Sequence, residues 1–311
     1  MRKLKLLSLA TAALFSAGAW AQTDVTSTYL TNADFEGNYS VKSNPKNDRA
    51  IYAPEGWTVS YSNGEENDMT ILNSSDLAAS SFNACANIAQ GGTNTYKVRF
   101  RWGSSEIIDM KQTISLEAGT YHLMADVLHH NGASGTMTIY ANSTTTTIEK
   151  SAAWQQAYLT FTLDGTTNVN IGFTVTQKKQ EEFITGIDNF TLYKDGDEAS
   201  VKLAFAKASA ARALTNEAYN TITGSERTAI ASYESATDAS ALHAAITSFT
   251  SVKSTYDNYA AALAYGKKIS NSVTGSLSSA DGYSDAINAL NVAEYNAIAD
   301  EYRSEERRVG K

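Results

Sequence analysis

Cysteine is almost absent from this chain of 311 residues, in which Cys85 is the single example. One cysteine excludes an internal disulfide framework and any cysteine-rich metal site, and we interpret Cys85 as a small, half-buried apolar residue. Long apolar runs are also lacking, because no segment after residue 21 has roughly 18 consecutive apolar residues. The sequence therefore predicts no transmembrane helix.

Positive charge is scarce as well. Lys and Arg number 25 against 33 Asp and Glu, which gives a net charge of −8. The first 21 residues contribute +3 and the last nine contribute +2, so the segment between them carries −13. Such an acidic segment is a poor partner for nucleic acid or for an anionic membrane.

Signatures of catalysis are missing too. His129 and His130 have no cysteine or H-E-x-x-H companion, and adjacent histidines at a strand end point to opposite faces, so a shared metal is not expected. Glu181 and Glu182 are neighbours rather than a pair facing across a cleft, as a glycosidase needs. No G-x-S-x-G, phosphate-binding loop or dinucleotide fingerprint occurs. The visible segment is predicted not to be an enzyme, which leaves open a downstream glycoside hydrolase or lyase domain.

The N-terminus has the pattern of a secretory signal peptide. Basic residues precede the apolar run Leu6–Phe15, and Ala19-Trp20-Ala21 forms an A-x-A-like cleavage site. No cysteine follows the site, which argues against a lipid anchor. We expect residues 1–21 to be removed and the protein to be secreted, periplasmic or on the cell surface.

Composition changes at about Lys194–Glu198 and indicates a β domain followed by an α domain. Turn residues such as Asp164-Gly165 separate alternating segments, so an antiparallel β-sandwich is predicted. The predicted strands are Lys97–Trp102, Met110–Leu116, Thr120–Leu128, Thr136–Ala141, Thr145–Glu149, Gln155–Leu163, Asn168–Val175 and Gly186–Tyr193. The stretch Thr28–Ala86 is less regular and is expected to supply edge strands and loops.

The α region is predicted to be an antiparallel three-helix bundle over residues 198–275. Its helices are Glu198–Thr221, Ser225–Ser235 and Ala239–Thr274, with Ser225 and Asp238 as caps. In the third helix a near-heptad stripe is formed by Leu242, Ile246, Phe249, Val252, Tyr256, Tyr259 and Leu263. Residues 276–302 begin a further helical segment.

Three segments of the β domain resemble the galactose-binding-like jelly roll, the fold of many carbohydrate-binding modules. They are the opening LTNADFEGNY (Leu30–Tyr39) with Gly56-Trp57 after it, the central KQTISLEAGTYHLMADV (Lys111–Val127), and the closing GIDNFTLYK (Gly186–Lys194). The resemblance covers residues 22–194 and identifies the fold better than the ligand. Aromatic residues such as Phe35, Trp57 and Trp154 are interpreted as core plugs between the two sheets.

The same resemblance implies one structural calcium ion where the first and last strands meet. Glu36 and Asp188 are its candidate ligands, with backbone carbonyls supplying the other oxygens. The alternative is that Asp188 only accepts backbone hydrogen bonds. The stretch Thr223–Ile230 is similar to helical repeats between modules of exported polysaccharide-degrading proteins, which implies a spacer.

Strand parity predicts where a sugar would bind. Antiparallel strands place the longer connections at one end of the sandwich and the short turns at the other. The long-connection end gathers rings, amides, carboxylates and cations, the mixture that sugars need, although loops are also polar for solvation alone. The candidate residues are Trp102, Glu106, His129, His130, Asn131, Gln177, Lys178 and Gln180. The helices should attach at the opposite end.

The last nine residues, Arg303–Lys311, resemble a translated sequencing-library adapter, so we expect the chain to be the N-terminal fragment of a larger protein. The leading hypothesis is an exported carbohydrate-binding module with a helical spacer, joined to a downstream domain of a glycan-degrading or glycan-binding protein. The alternative is a structural or adhesive surface protein that does not bind sugar. Sequence beyond Tyr302 would distinguish the two.

Overall fold

The computed structural model describes residues 21–43, 51–61, 67–73, 94–100, 106–133, 135–177, 184–253 and 255–261. The described strands are β1 (Thr23–Asp24), β2 (Tyr39–Ser43), β3 (Ile51–Pro54), β4 (Thr58–Tyr61), β5 (Asn67–Asn73), β6 (Asn94–Phe100), β7 (Glu106–Leu116), β8 (Gly119–His129), β9 (Thr136–Ala141), β10 (Thr144–Ile148), β11 (Gln155–Leu163), β12 (Thr167–Gln177) and β13 (Ile184–Lys194). The helices are α1 (Thr26–Tyr29), α2 (Glu198–Thr215), α3 (Gly224–Ala231) and α4 (Ala239–Ser251), with 3-10 turns at Glu217–Tyr219 and Tyr233–Ser235.

The strands form two sheets that pack as a β-sandwich. The larger sheet has the order β11-β8-β13-β6-β5-β3-β2, with β1 pairing on β13, and the five-stranded sheet has the order β10-β9-β12-β7-β4. The pairings are antiparallel except for β3 with β5. Inward-facing apolar residues of both sheets, such as Leu123 and Phe173, join one buried core.

An aromatic cluster fastens the N-terminal segment to this core. The ring centroid of Trp57 lies 5.5 Å from that of Phe35 and 5.0 Å from that of Phe190, and its Nε1 donates to the Thr31 carbonyl at 3.0 Å. The Gln112 side chain binds Thr31 twice, donating to its carbonyl at 2.5 Å and accepting its N–H at 3.0 Å. The segments Leu30–Glu36 and Gly56-Trp57 are therefore anchored to the core of the sandwich.

The helices begin at capped residues. Asp197 accepts the N–H of Ser200 at the start of α2, and Asp238 accepts the N–H groups of Ser240 and Ala241 at the start of α4. The helix α2 stops at Thr215, six residues before the predicted end, because Asn216 is extended and caps the following 3-10 turn. The third predicted helix is interrupted after Ser251, and residues 255–261 are helical again. Its remainder lies outside the described residues.

The helical segment packs on the outer face of the larger sheet. Met124 and Tyr193 point outward from β8 and β13 and bury Val201 and Phe205 of α2 in a second apolar cluster. Because α2 covers this face, strand β8 is buried on both faces from Tyr121 onward. The sandwich and the described helices therefore share an interface instead of being joined by a bare linker.

This packing revises two expectations. The chain leaves β13 at the short-turn end, but the helices fold back along the sheet until the His243 imidazole hydrogen-bonds the backbone of Trp154, at the long-connection end. Trp154 is buried, yet it lies outside the core between the sheets, and its ring packs over Gly186. No helix among the described residues has the length and apolar content needed to cross a membrane.

Candidate functional site

The strand directions bring three of the predicted sugar-site positions, Glu106, Gln177 and His129, to one end of the sandwich. Glu106 opens β7 and is paired in register with Gln177, which closes β12. His129 closes β8 opposite Thr185 at the start of β13. These strand ends, together with the turn that follows β8, are the described part of the long-connection end. The side chains of Glu106 and Gln177 lie outside the described part, as do Trp102, Lys178 and Gln180 altogether.

The two histidines at this end are largely buried. His129 is 2% exposed, and its Nδ1 donates to the carbonyl of Ile148 at 3.2 Å. His130 is 8% exposed, and its Nδ1 accepts the backbone N–H of Gly132 at 3.1 Å. Burial lowers the pKa of both imidazoles, so both are neutral at neutral pH. Asn131, which follows the two histidines and lies in the turn, is exposed and is the accessible polar residue of the three.

The meeting point of the first and last strands contains a bulge. Asn189 has a φ of 52° and interrupts the register of β13 between Asp188 and Thr191. Asp188 is 1% exposed, and its Oδ1 accepts the N–H of Asn189 at 2.7 Å. Glu36 is exposed, and its N–H donates to Asp34. Among the described residues, no group of three or more His, Cys, Asp and Glu side chains converges to hold a metal ion.

A polar cavity of about 390 Å³ lies beside this bulge. Neither Glu36 nor Asp188 lines it. Its oxygen- and nitrogen-bearing walls include Asp24, Asn32, Asp34, Asn189 and Arg212. The calcium ligands inferred from the family resemblance therefore stay a prediction.

The outward side of the five-stranded sheet is a second polar surface, which we call the open face. Its side chains are exposed or half-buried, in contrast to the outer face of β8 under the helices. The strand registers place one row of side chains across all five strands: Thr147, Thr138, Thr174, Asp109 and Ser60. A neighbouring row consists of Thr145, Tyr140, Gly172, Lys111 and Thr58.

A hydrogen-bonded cluster occupies the middle of the open face. The hydroxyl of Tyr140 donates to Asp109 Oδ1 at 2.5 Å, and the hydroxyl of Thr174 donates to the same oxygen at 3.0 Å. Lys111 Nζ lies 4.0 Å from the other carboxylate oxygen. Tyr140 crosses β12 at Gly172, where a Cβ atom would lie 2.9 Å from the tyrosine hydroxyl. Burial, and then the Asp109 carboxylate, raise the pKa of Tyr140, so the hydroxyl remains a donor.

Sequence reasoning missed the open face because it looked for loops and tryptophans. The available signal was alternation: Thr136 and Thr138 in β9, and Thr174 and Thr176 in β12, place hydroxyls on one side of each strand. Only the register shows that two of these residues, Thr138 and Thr174, lie in one row with Asp109 of a third strand.

No family model matches the chain, and no curated protein matches it. Several solved structures do. The module TmCBM61 in complex with β-1,4-galactotriose is 15% identical with a TM-score of 0.37, and the match covers 54% of this chain and 98% of that chain. A family 11 carbohydrate-binding module from Clostridium thermocellum, in complex with a β-1,3-1,4-mixed-linked tetrasaccharide, is 11% identical with a TM-score of 0.30, covering 53% and 93%.

A third similar chain is an enzyme. The Stig cyclase Fisc from Fischerella sp. TAU is 16% identical with a TM-score of 0.38, and the match covers 57% of this chain and all of that chain. The solved structures to which this chain is similar thus include both carbohydrate-binding modules and a cyclase. At these identities and TM-scores the matches carry no argument about what the chain binds.

Proposed function

We propose that this protein is an exported, non-catalytic carbohydrate-binding module of the galactose-binding-like jelly-roll type. The observation that supports the proposal most directly is the open face of the five-stranded sheet. Hydroxyls of Thr138 and Thr174, the Asp109 carboxylate and the Lys111 ammonium offer both acceptors and donors there. Sugar hydroxyls act as donors and acceptors at once, so a surface with both is suited to them.

The dimensions of the open face fit a chain rather than a single sugar. Four spacings of about 4.8 Å between the five strands give the row from Thr147 to Ser60 a length of about 19 Å. The Tyr140 ring and Ile107, which is 52% exposed, add apolar contact for the C–H faces of sugar rings. The negative charge of Asp109 and the positive charge of Lys111 offset each other, so we expect the open face to favour an uncharged polysaccharide over a polyanionic one.

Binding to a panel of uncharged polysaccharides tests the proposal. We expect Tyr140→Ala to weaken retention at least about tenfold, or about 1.4 kcal/mol, because the ring and the Asp109 hydrogen bond are lost together. Thr174→Val, which replaces a hydroxyl with a methyl group, should weaken it less. Tyr39→Ala is the matched control, because Tyr39 is 53% exposed but lies on β2 of the other sheet.

The outcomes separate the candidate sites. Loss of binding with Trp102→Ala and full binding with Tyr140→Ala would assign the ligand to the long-connection end instead of the open face. Retention on no polysaccharide at all would contradict the module hypothesis. The structural or adhesive reading would then take its place.

A further inference from the structure

The sequence contains an Asn-Gly dipeptide in the connection between β8 and β9, at Asn131 and Gly132. The side chain of Asn131 is exposed, and both residues lie in a turn. In such a dipeptide the backbone nitrogen of the glycine can attack the side-chain carbonyl carbon of the asparagine, because glycine has no Cβ to obstruct the approach. The reaction requires that the glycine N–H first lose its proton.

A base is already bound to that proton. The N–H of Gly132 donates to Nδ1 of His130 at 3.1 Å, so the imidazole accepts a hydrogen bond from the atom that must be deprotonated. An imidazole that accepts at Nδ1 carries its own hydrogen on Nε2 and is neutral, the state in which it can take a proton. Burial of His130, which is 8% exposed, favours this neutral form. A general base must lie within about 2.6–3.2 Å of its target, and His130 does.

The geometry points to Asn131 as a site of self-catalysed deamidation in which His130 is the general base. The Gly132 N–H proton passes to His130 Nδ1 while the Gly132 nitrogen bonds to Cγ of Asn131. The bond from Cγ to the side-chain nitrogen then breaks, and ammonia leaves with the proton returned by the imidazolium. Water opens the resulting succinimide at either carbonyl, which gives aspartate or isoaspartate at position 131. No oxidant, reductant or cofactor takes part.

The surroundings hold the turn in place for this reaction. Lys150 Nζ donates to the carbonyl of Ala133, and the N–H of Ser151 donates to the carbonyl of His129 at 2.8 Å. Both ends of the turn are thus bonded to the segment after β10. The product adds one negative charge and, as isoaspartate, one extra backbone atom at the long-connection end. The reaction would alter this end of the molecule without touching the open face.

Timed incubation of the folded protein at neutral pH, followed by peptide mapping, measures the conversion. We expect His130→Gln to slow it about tenfold, since glutamine can accept the Gly132 hydrogen bond but cannot take the proton, and a positioned base typically contributes at least that much. Asn131→Gln should abolish it. The chain supplies an internal control in Asn63-Gly64, the other Asn-Gly dipeptide, which lies outside the described residues.

Two results would overturn the assignment. One is an unchanged rate at position 131 in folded His130→Gln, with Asn63 converting as in the wild type. The other is a slower rate at Asn131 in the folded protein than in the isolated peptide, which would show that the fold protects the site. Circular dichroism of each variant checks that it is folded. Should His130→Gln fail to fold, comparison of the wild-type protein with the peptide still decides the question.

Discussion

Asp126 should make the fold less stable as the pH rises, which is the reverse of an ordinary salt-bridged aspartate. It lies on β8 beneath α2 and is completely buried. Its Oδ2 accepts the Asn189 side-chain N–H at 3.0 Å and lies 3.6 Å from Arg212 Nη2. Its Oδ1 has no hydrogen-bond partner within the described part of the chain. Burial outweighs Arg212 and Asn189 and raises the pKa of Asp126 from 3.8 to about 6.

The size of the effect follows from that pKa. A group with a raised pKa in the folded state contributes stability that is complete below its unfolded pKa and is lost as the pH rises through the folded value. At 1.36 kcal/mol for each pKa unit, the change from 3.8 to about 6 corresponds to about 3 kcal/mol. We therefore expect this contribution to disappear between about pH 4 and pH 7.

Urea unfolding over that pH range, for the wild type and Asp126→Asn, measures the contribution. Asparagine keeps an oxygen for Asn189 and Arg212 but cannot ionise, so it removes the cost of the buried charge. The other titrating groups contribute to the free energy of unfolding of both proteins, so their contributions cancel in the difference. Above pH 7 Asp126→Asn should be more stable than the wild type by up to about 3 kcal/mol, whereas Asp164→Asn, at an exposed turn, should change little.

A less stable Asp126→Asn at alkaline pH would refute this reasoning. It would mean that the ion pair with Arg212 outweighs the cost of burying the carboxylate. Removing one partner of a buried pair does destabilise some proteins strongly. The long 3.6 Å contact and the unpartnered Oδ1 are the reasons to expect the opposite here.

Two further predictions concern the interface and the metal. Phe205→Ala should lower the free energy of unfolding by about 3–5 kcal/mol. Because Phe205 packs on Met124 and Tyr193, the unfolding transitions followed by the fluorescence of the buried Trp57 and by helical circular dichroism should shift together. A shift confined to the helical signal would contradict a shared interface. If Glu36 and Asp188 hold calcium, excess chelator should lower the melting temperature of residues 22–194, and added calcium should restore it. An unchanged melting temperature would contradict the calcium prediction.

Regular alternation made much of the sandwich predictable. The strand Gln155–Leu163 has the bounds expected from its alternating pattern, and turns such as Asp164-Gly165 fall between strands. The early region was harder, because β2 to β5 are short and one of their pairings is parallel. The stripe of the third helix marked buried residues correctly, among them Leu242, Phe249 and Tyr259, although the helix is interrupted after Ser251.

The position of the helices could not be predicted from the alternating directions of the strands. Those directions fix the end at which the chain leaves the sandwich but not the direction that it takes afterwards. The signal was in β8, where Met124 and Leu128 are apolar although they point away from the core between the sheets. The same outer row also holds Thr120, His122 and Asp126, so the continuous apolar pattern typical of a strand buried on both faces is only partial in β8. Burial of both faces of β8 requires another element to pack on the outer face of the larger sheet, and the Ala-rich helices are that element.

The covered sheet and the open sheet together restrict where a polymer can bind. Helices occupy the outer face of β8, β11 and β13, so a long glycan has no access there. The open face has no such cover in the described residues, and it ends at the register pair of Glu106 and Gln177. These two residues also belong to the long-connection end, so the two candidate surfaces adjoin along β7 and β12. A polymer lying on the row from Thr147 to Ser60 crosses the strands, whereas one that reaches Glu106 must follow them, and the ligand's direction decides which surface it uses.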